Sequence, residues 1–190
     1  MIRLSHVTAG YPGKRVLSNL NLELPDRGAV ALMAPSGFGK TTLLRLLAGL
    51  LGPESGSITG LAGKRTAFMF QEDRLLPWLT AEKNVEIVCD DPEKARYWLE
   101  QMEIPDGGQY PDALSGGMQR RVALARCMAF GGDMLLLDEP FKGLDADLRK
   151  RIAERIKEKA PLMILAVHDA EEAALMGAQI IRLDEQMTGP

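Results

Sequence analysis

The chain has 190 residues, 46% hydrophobic and 26% charged. That balance suits one globular domain, or one domain with a small attached lobe, and excludes a disordered chain. A net charge of -3 and a pI near 5.5 leave no broad basic footprint for nucleic acid. Cys89 and Cys127 share no metal-like spacing and read as buried thiols in a reducing compartment. The opening Met1-Ile-Arg-Leu lacks the apolar core of a signal peptide, and runs such as Leu162–Val167 are far too short to span a bilayer. The chain therefore reads as soluble and cytoplasmic, with any membrane role coming through a partner.

In chain order, Ala29–Met33 is a short, almost continuously apolar run, which suits a strand buried on both faces of a mainly parallel sheet. Ala34-Pro-Ser-Gly-Phe-Gly-Lys-Thr41 follows it and opens a helical pattern over Thr41–Leu50. Strand, glycine-rich turn and helix in that order make a Walker A reading meaningful. Gly37 and Gly39 let successive backbone N–H groups face a phosphate, and the helix N-terminus adds favourable partial charge. Lys40 would reach the β- and γ-phosphates and the Thr41 hydroxyl would hold Mg²⁺, with Ala34, Pro35, Ser36, Phe38 and Thr42 completing the nucleotide-binding set. Ala34 stands where the motif has its first glycine, which costs about 1 kcal/mol only if that position needs a positive φ.

Thr59–Ala67 reads as an abbreviated β-hairpin. Thr80–Val88, then an Asp91 N-cap with Pro92 at the first helical position and Ala95, Trp98, Leu99 and Met102 at helical spacing, predict a small helical lobe. That lobe spans about residues 72–119 and is inserted into an α/β core of 1–71 and 120–190. Ser115 is placed to cap the next helix. Met134–Leu137 is an apolar strand ending in Asp138-Glu139-Pro140, a Walker B arrangement. Asp138 would act through the Mg²⁺ shell, and Glu139 would orient and deprotonate the attacking water. Leu148, Ile152 and Ile156 recur at helical spacing before Pro161, and the strand Leu162–Val167 delivers His168 at its end. The alternation gives an α/β fold with helices on the faces of a mainly parallel sheet.

The segment Leu114-Ser-Gly-Gly-Met-Gln119, followed by Arg120-Arg-Val-Ala-Leu-Ala-Arg126, joins the two Walker motifs. With all three, the chain resembles the ATP-binding subunits of ABC transporters over nearly its whole length. The resemblance implies a P-loop NTPase core with N-terminal antiparallel strands, and ATP and Mg²⁺ as ligands. By the same likeness Tyr11 stacks on adenine, Gln71 senses Mg²⁺ and the γ-phosphate, His168 contacts the γ-phosphate, and Asp145 belongs to the inter-subunit loop. Ser115, Gly116, Gly117 and Gln119 would complete an ATP site held by a second ATPase subunit, most simply in a homodimer. Permease subunits would hold the pair on the inner face of the cell membrane, with a solute-binding protein acting indirectly and no nucleic acid involved. Leu75-Leu-Pro-Trp78 looks most like the importers for nitrate, taurine and alkanesulfonates, and serves either docking or core packing.

Lys142 and Gly143 depart from the family pattern, which usually has Ser and a small residue there. Ala34, Lys142 and the trimmed ends motivate a rival reading, a nucleotide-binding regulatory module that has lost hydrolysis. Intact Lys40, Gln71, Asp138, Glu139 and His168 oppose it. A relative acting on chromosomes would place long coiled coils between Walker A and the signature, but only 74 residues lie between Lys40 and Ser115, without sustained heptads.

Overall fold

The structure is a computed structural model and describes residues 1–186. Strands β1 (Ile2–Tyr11) and β2 (Lys14–Leu24) form an antiparallel pair, and β3 (Gly28–Met33) leads into the glycine-rich loop and helix α1 (Lys40–Leu47). Next come β4 (Ser55–Thr59), β5 (Thr66–Met69), α2 (Ala81–Cys89), α3 (Pro92–Gln101) and α4 (Gly116–Phe130). Strand β6 (Met134–Asp138), α5 (Ala146–Ile156), β7 (Leu162–Ala166), α6 (Ala170–Leu175) and β8 (Gln179–Arg182) complete the order.

Helix starts follow from side chains that accept the otherwise unpaired first-turn N–H groups. Thr80 accepts from Lys83, Asp91 from Glu93 and Lys94, Ser115 from Met118, Asp145 from Leu148, and Asp169 from Glu172. Helix α1 ends short of the expected Leu50, because Gly49 adopts φ 69° and turns the chain away.

Two sheets result, an antiparallel one ordered β2-β1-β4 and a parallel one ordered β5-β6-β7-β3-β8. The expected hairpin over Thr59–Ala67 is therefore corrected. Strand β4 pairs with β1 through Arg3↔Thr59, whereas β5 pairs with β6 through Thr66↔Met134. The reason is burial on both faces of β5, where Ala67 and Met69 enter one core and Phe68 packs against the other.

The parallel sheet separates those two cores, which is why its strands read as unbroken apolar runs. Leu135, Leu137, Met163 and Leu165 face α2, α3, α4 and α5, joined there by Trp98, Leu99 and Met102. Met134, Leu136, Leu162 and Ile164 face α1 and the antiparallel sheet. Helices α2 and α3 pack on α4, and α4 also packs on β5. Helix α4 runs without a break through position 119, so it belongs to both the helical layer and the sheet. Of the two cysteines, Cys127 is buried as expected, but Cys89 is only half-buried, because it closes α2 near the surface.

Candidate functional site

The register of the parallel sheet builds the site. Strand β7 lies between β6 and β3, with Asp138 level with Ala166 and Ala166 level with Leu32. The residues that leave the C-terminal ends of these strands are Glu139, His168 and the loop from Ala34. Strand β5 adds Gln71 beside them, since Met69 is level with Leu137. In open α/β sheets this edge is where ligands bind.

In the loop, Gly37 has φ 84° and Gly39 φ 91°. A Cβ on Gly39 would also come within 2.5 Å of the Leu17 side chain, so both backbone and packing require glycine there. No side chain caps α1, whose first N–H groups are left facing the loop. The Lys40 ammonium donates to the carbonyls of Ala34 at 2.6 Å and Pro35 at 3.4 Å. The Thr41 hydroxyl donates to Asp138 Oδ2 at 2.7 Å, which ties the two Walker segments together. Ala34 lies outside the left-handed region, so the missing first glycine introduces no backbone strain. Phe38 is exposed.

A cavity of about 360 Å³ is lined by Tyr11, Ser36, Gly37, Gly39, Lys40, Thr41, Thr42, Gln71 and Glu139. Nine residues named from sequence thus surround one space. A larger cleft of about 840 Å³, bounded by β1, β2 and β8, contains none of them. Three further residues, Lys14, Val16 and Arg45, complete the lining of the smaller cavity and were not legible from motif spacing. Arg45 Nη1 donates to the Tyr11 hydroxyl at 2.8 Å and its guanidinium lies 5.7 Å from the ring centre, which fixes the ring at the cavity mouth.

Glu139 occupies the left-handed region, with φ 54°, unusual for a residue with a long side chain. His168 Nε2 lies 2.8 Å from its Oε1 and Lys142 Nζ 3.1 Å from its Oε2. Burial pushes the Glu139 carboxyl up, but the Lys142 and His168 contacts outweigh it and hold the group below the usual carboxylate range. Asp138 is shifted the other way. Burial raises it, the Glu139 charge adds to that, and the Thr41 hydrogen bond only partly opposes it.

Behind these carboxylates lies Arg120, 3% exposed and without an expected role. Its guanidinium donates to the carbonyls of Phe70, Gln71, Asp138 and Glu139 and pairs with Asp73 at 2.8 Å. One buried cation therefore holds the backbone on both sides of the cavity to α4. Arg126 continues the brace by donating to the carbonyls of Asp73 and Arg74. The fully buried Asn84 amide pins the carbonyls of Leu76, Leu79 and Thr80. The only sequence signal for Arg120 was a pair of arginines one turn into a capped helix, a pattern that reads equally well as a solvated face.

The signature residues stand apart from the cavity. Ser115 caps α4, and Gln119 donates to the carbonyls of Pro111 at 2.9 Å and Leu114 at 3.1 Å, bracing the turn before the signature. Gly117 faces the Gly143 carbonyl, 3.5 Å from where its Cβ would stand, and space is open beside Gly116. Asp145 caps α5. Ser115, Gly116, Gly117 and Gln119 do not line the phosphate-loop cavity of their own chain.

The ABC transporter family matches this sequence over residues 17–142, from β2 through the turn after Walker B. The chain belongs to the ABC transporter family. Among curated relatives of this ABC subunit, an aliphatic sulfonates import ATP-binding protein of Pseudomonas syringae pv. tomato is 39% identical over 180 residues, covering 90% of this chain and 77% of the relative. A protein of the same description from Bacillus subtilis is 38% identical, covering 87% and 71%. Among solved structures, the dimeric ATP-binding cassette MJ0796 in a post-hydrolysis state bound to ADP and Pi superposes with a TM-score of 0.84 at 27% identity, covering 96% of this chain and 94% of that one. A second dimeric structure of the same cassette gives 0.84 at 28% identity. The ABC subunit described here binds ATP, hydrolyses it and works in a transporter as a dimer. The regulatory reading without hydrolysis loses its strain argument with the negative φ of Ala34.

Proposed function

We propose that this subunit powers import of a small solute, of the sulfonate, taurine or nitrate kind, by hydrolysing ATP at the β3–β6–β7 edge. The observation that carries the reading is the strand register that sets the Lys40 loop, Gln71 and Glu139 around one cavity beside a ring-bearing Tyr11. Its relatives named for aliphatic sulfonate import support the solute class.

Tyr11 stacks on adenine, with Arg45 holding the ring. The loop from Ala34 to Thr42, with Pro35, Ser36, Gly37, Phe38, Gly39, Lys40 and Thr41, wraps the phosphates. Its glycine backbone and the α1 terminus supply N–H donors, and Lys40 exchanges its carbonyl contacts for phosphate oxygens. The donor set fits Mg²⁺, a hard cation that favours one or two carboxylates plus phosphates. Thr41 and Asp138 already share a hydrogen bond at the loop, and Gln71 lines the same cavity as Thr41. When bound, the cation would neutralise phosphate charge. Glu139 takes the proton from the attacking water, and His168 holds Glu139 and the γ-phosphate side of the site.

The signature acts in trans. Ser115, Gly116, Gly117 and Gln119 present the N-terminus of α4 to the ATP of a second copy, and Asp145 lies on the loop between the sites, giving a homodimer with two nucleotides between protomers. Among the described residues no helix is long and apolar enough to cross a membrane, so permease subunits hold the pair at the inner face of the cell membrane and receive solute from a binding protein. The helical layer of residues 72–119 is the docking lobe. There Leu75 packs on the core while Trp78 is 69% exposed, so the segment divides between packing and partner contact.

The composite site is tested by mixing two inactive variants. Ser115→Arg should keep monomer nucleotide affinity and lose ATP-driven dimerisation, because the long side chain fills the γ-phosphate position. Lys40→Ala should lose nucleotide affinity in the monomer. Their mixture should regain turnover through one complete site per dimer. Calorimetry and light scattering check both arms, and loss of nucleotide binding in a folded Ser115→Arg monomer contradicts the trans arrangement.

A further inference from the structure

The two oxygens of Glu139 face two different nitrogens, one on the His168 ring and one on the Lys142 ammonium. Oε1 faces His168 Nε2 at 2.8 Å. Oε2 is sealed from solvent and makes no hydrogen bond of good geometry, and the Lys142 ammonium stands against it at 3.1 Å. The turn that carries Lys142 back to Glu139 is fixed by the backbone, since Lys142 N–H donates to the Glu139 carbonyl at 3.2 Å and Gly143 follows at φ 77°. Arg120 clamps that same carbonyl from behind at 2.8 Å, so the carboxylate cannot retreat by moving its backbone. The Lys142 side chain itself is 57% exposed and free to swing outward.

We propose that Lys142 is a positioning residue that restrains Glu139, holding the oxygen that must be freed before a water can be seated against the general base. This rests on the assignment of Glu139 as that base. A water cannot reach Oε2 while the ammonium covers it, and Oε1 is committed to His168. Each turnover therefore begins with Lys142 swinging into solvent, and the ion pair sets part of the barrier. Lys142 does not itself line the phosphate-loop cavity and meets it only through Glu139, so the restraint acts on turnover and leaves nucleotide binding alone. Because the lysine arm is more than half exposed, the hold is weak, which places the effect at about twofold to fivefold.

The experiment measures steady-state ATP turnover of the purified subunit for wild type, Lys142→Ala, Lys142→Arg and Glu139→Gln, with thermal melting as a folding control. Lys142→Ala should raise kcat by about twofold to fivefold with KM unchanged. Lys142→Arg, which restores a cation of similar reach, should return kcat toward wild type. A Lys142→Ala kcat at or below wild type overturns the proposal, as does a rise that arginine fails to reverse. Wild-type turnover in Glu139→Gln would instead remove the base assignment itself, which separates the two failures.

Discussion

Arg120→Met offers the sharpest test of how the site is held together. The substitution keeps an apolar stem of similar length and removes the guanidinium from a position only 3% exposed. Left behind are the carbonyls of Phe70, Gln71, Asp138 and Glu139 and the Asp73 carboxylate, all of which Arg120 now serves. A hydrogen bond to a charged group contributes about 1.5–3 kcal/mol, but adding five such values overshoots, because the loops relax and water enters. Removing one partner of a buried ion pair typically costs about 3–5 kcal/mol, which is the better bound. For a domain of this length each kcal/mol moves Tm by about 2–4 °C, so Arg120→Met should melt about 6–20 °C below wild type. Urea titration at an unchanged m value should give the same loss of free energy. Arg96→Met serves as a control, since Arg96 is 61% exposed and 3.9 Å from Glu82, and it should change stability by less than about 0.5 kcal/mol. If both variants melt alike, Arg120 is not the brace described.

Ala34→Gly should change ATP affinity by no more than about fivefold in titration calorimetry, because the alanine already sits at an unstrained φ. A gain well above tenfold would show strain in the loop. In the folded protein a thiol-exchange reagent should titrate Cys89 and spare Cys127, whose thiol burial pushes up to about 12, and both should react after unfolding. Equal reaction rates for the two thiols in the native protein would contradict the buried position of Cys127.

Much of the fold was legible because this chain obeys local rules. The apolar runs of β3, β6 and β7, the Asp91-Pro92 cap and the Ser115 cap each state their element within a few residues. The hairpin expected over Thr59–Ala67 failed because sheet membership is set by burial far along the chain. Thr66 pairs with Met134 and Arg3 with Thr59, and no local pattern encodes either partner. The site divides the same way. Glycine spacing and strand-end acids point to the loop from Ala34, Asp138 and Glu139, since each of these stands at the end of a strand. Arg120 stayed hidden because its work is to hold backbone distant in sequence, 50 positions away for Phe70. Arg45 did so because it holds a side chain 34 positions away, and Asn84 because an asparagine that holds nearby carbonyls follows no motif. Lys142 was visible only as a departure, and its meaning came with the 3.1 Å contact to Glu139.

The central claim is that Glu139 deprotonates the water that attacks ATP at this edge of the sheet, and substitution of that one carboxylate tests it most directly. In Glu139→Gln the amide keeps the size of the side chain but cannot take up the proton. The account predicts ATP binding within a few fold of wild type by calorimetry, a turnover at least ~100-fold lower, and an ATP-bound dimer that accumulates on light scattering. A folded Glu139→Gln protein that hydrolyses ATP at the wild-type rate would contradict it.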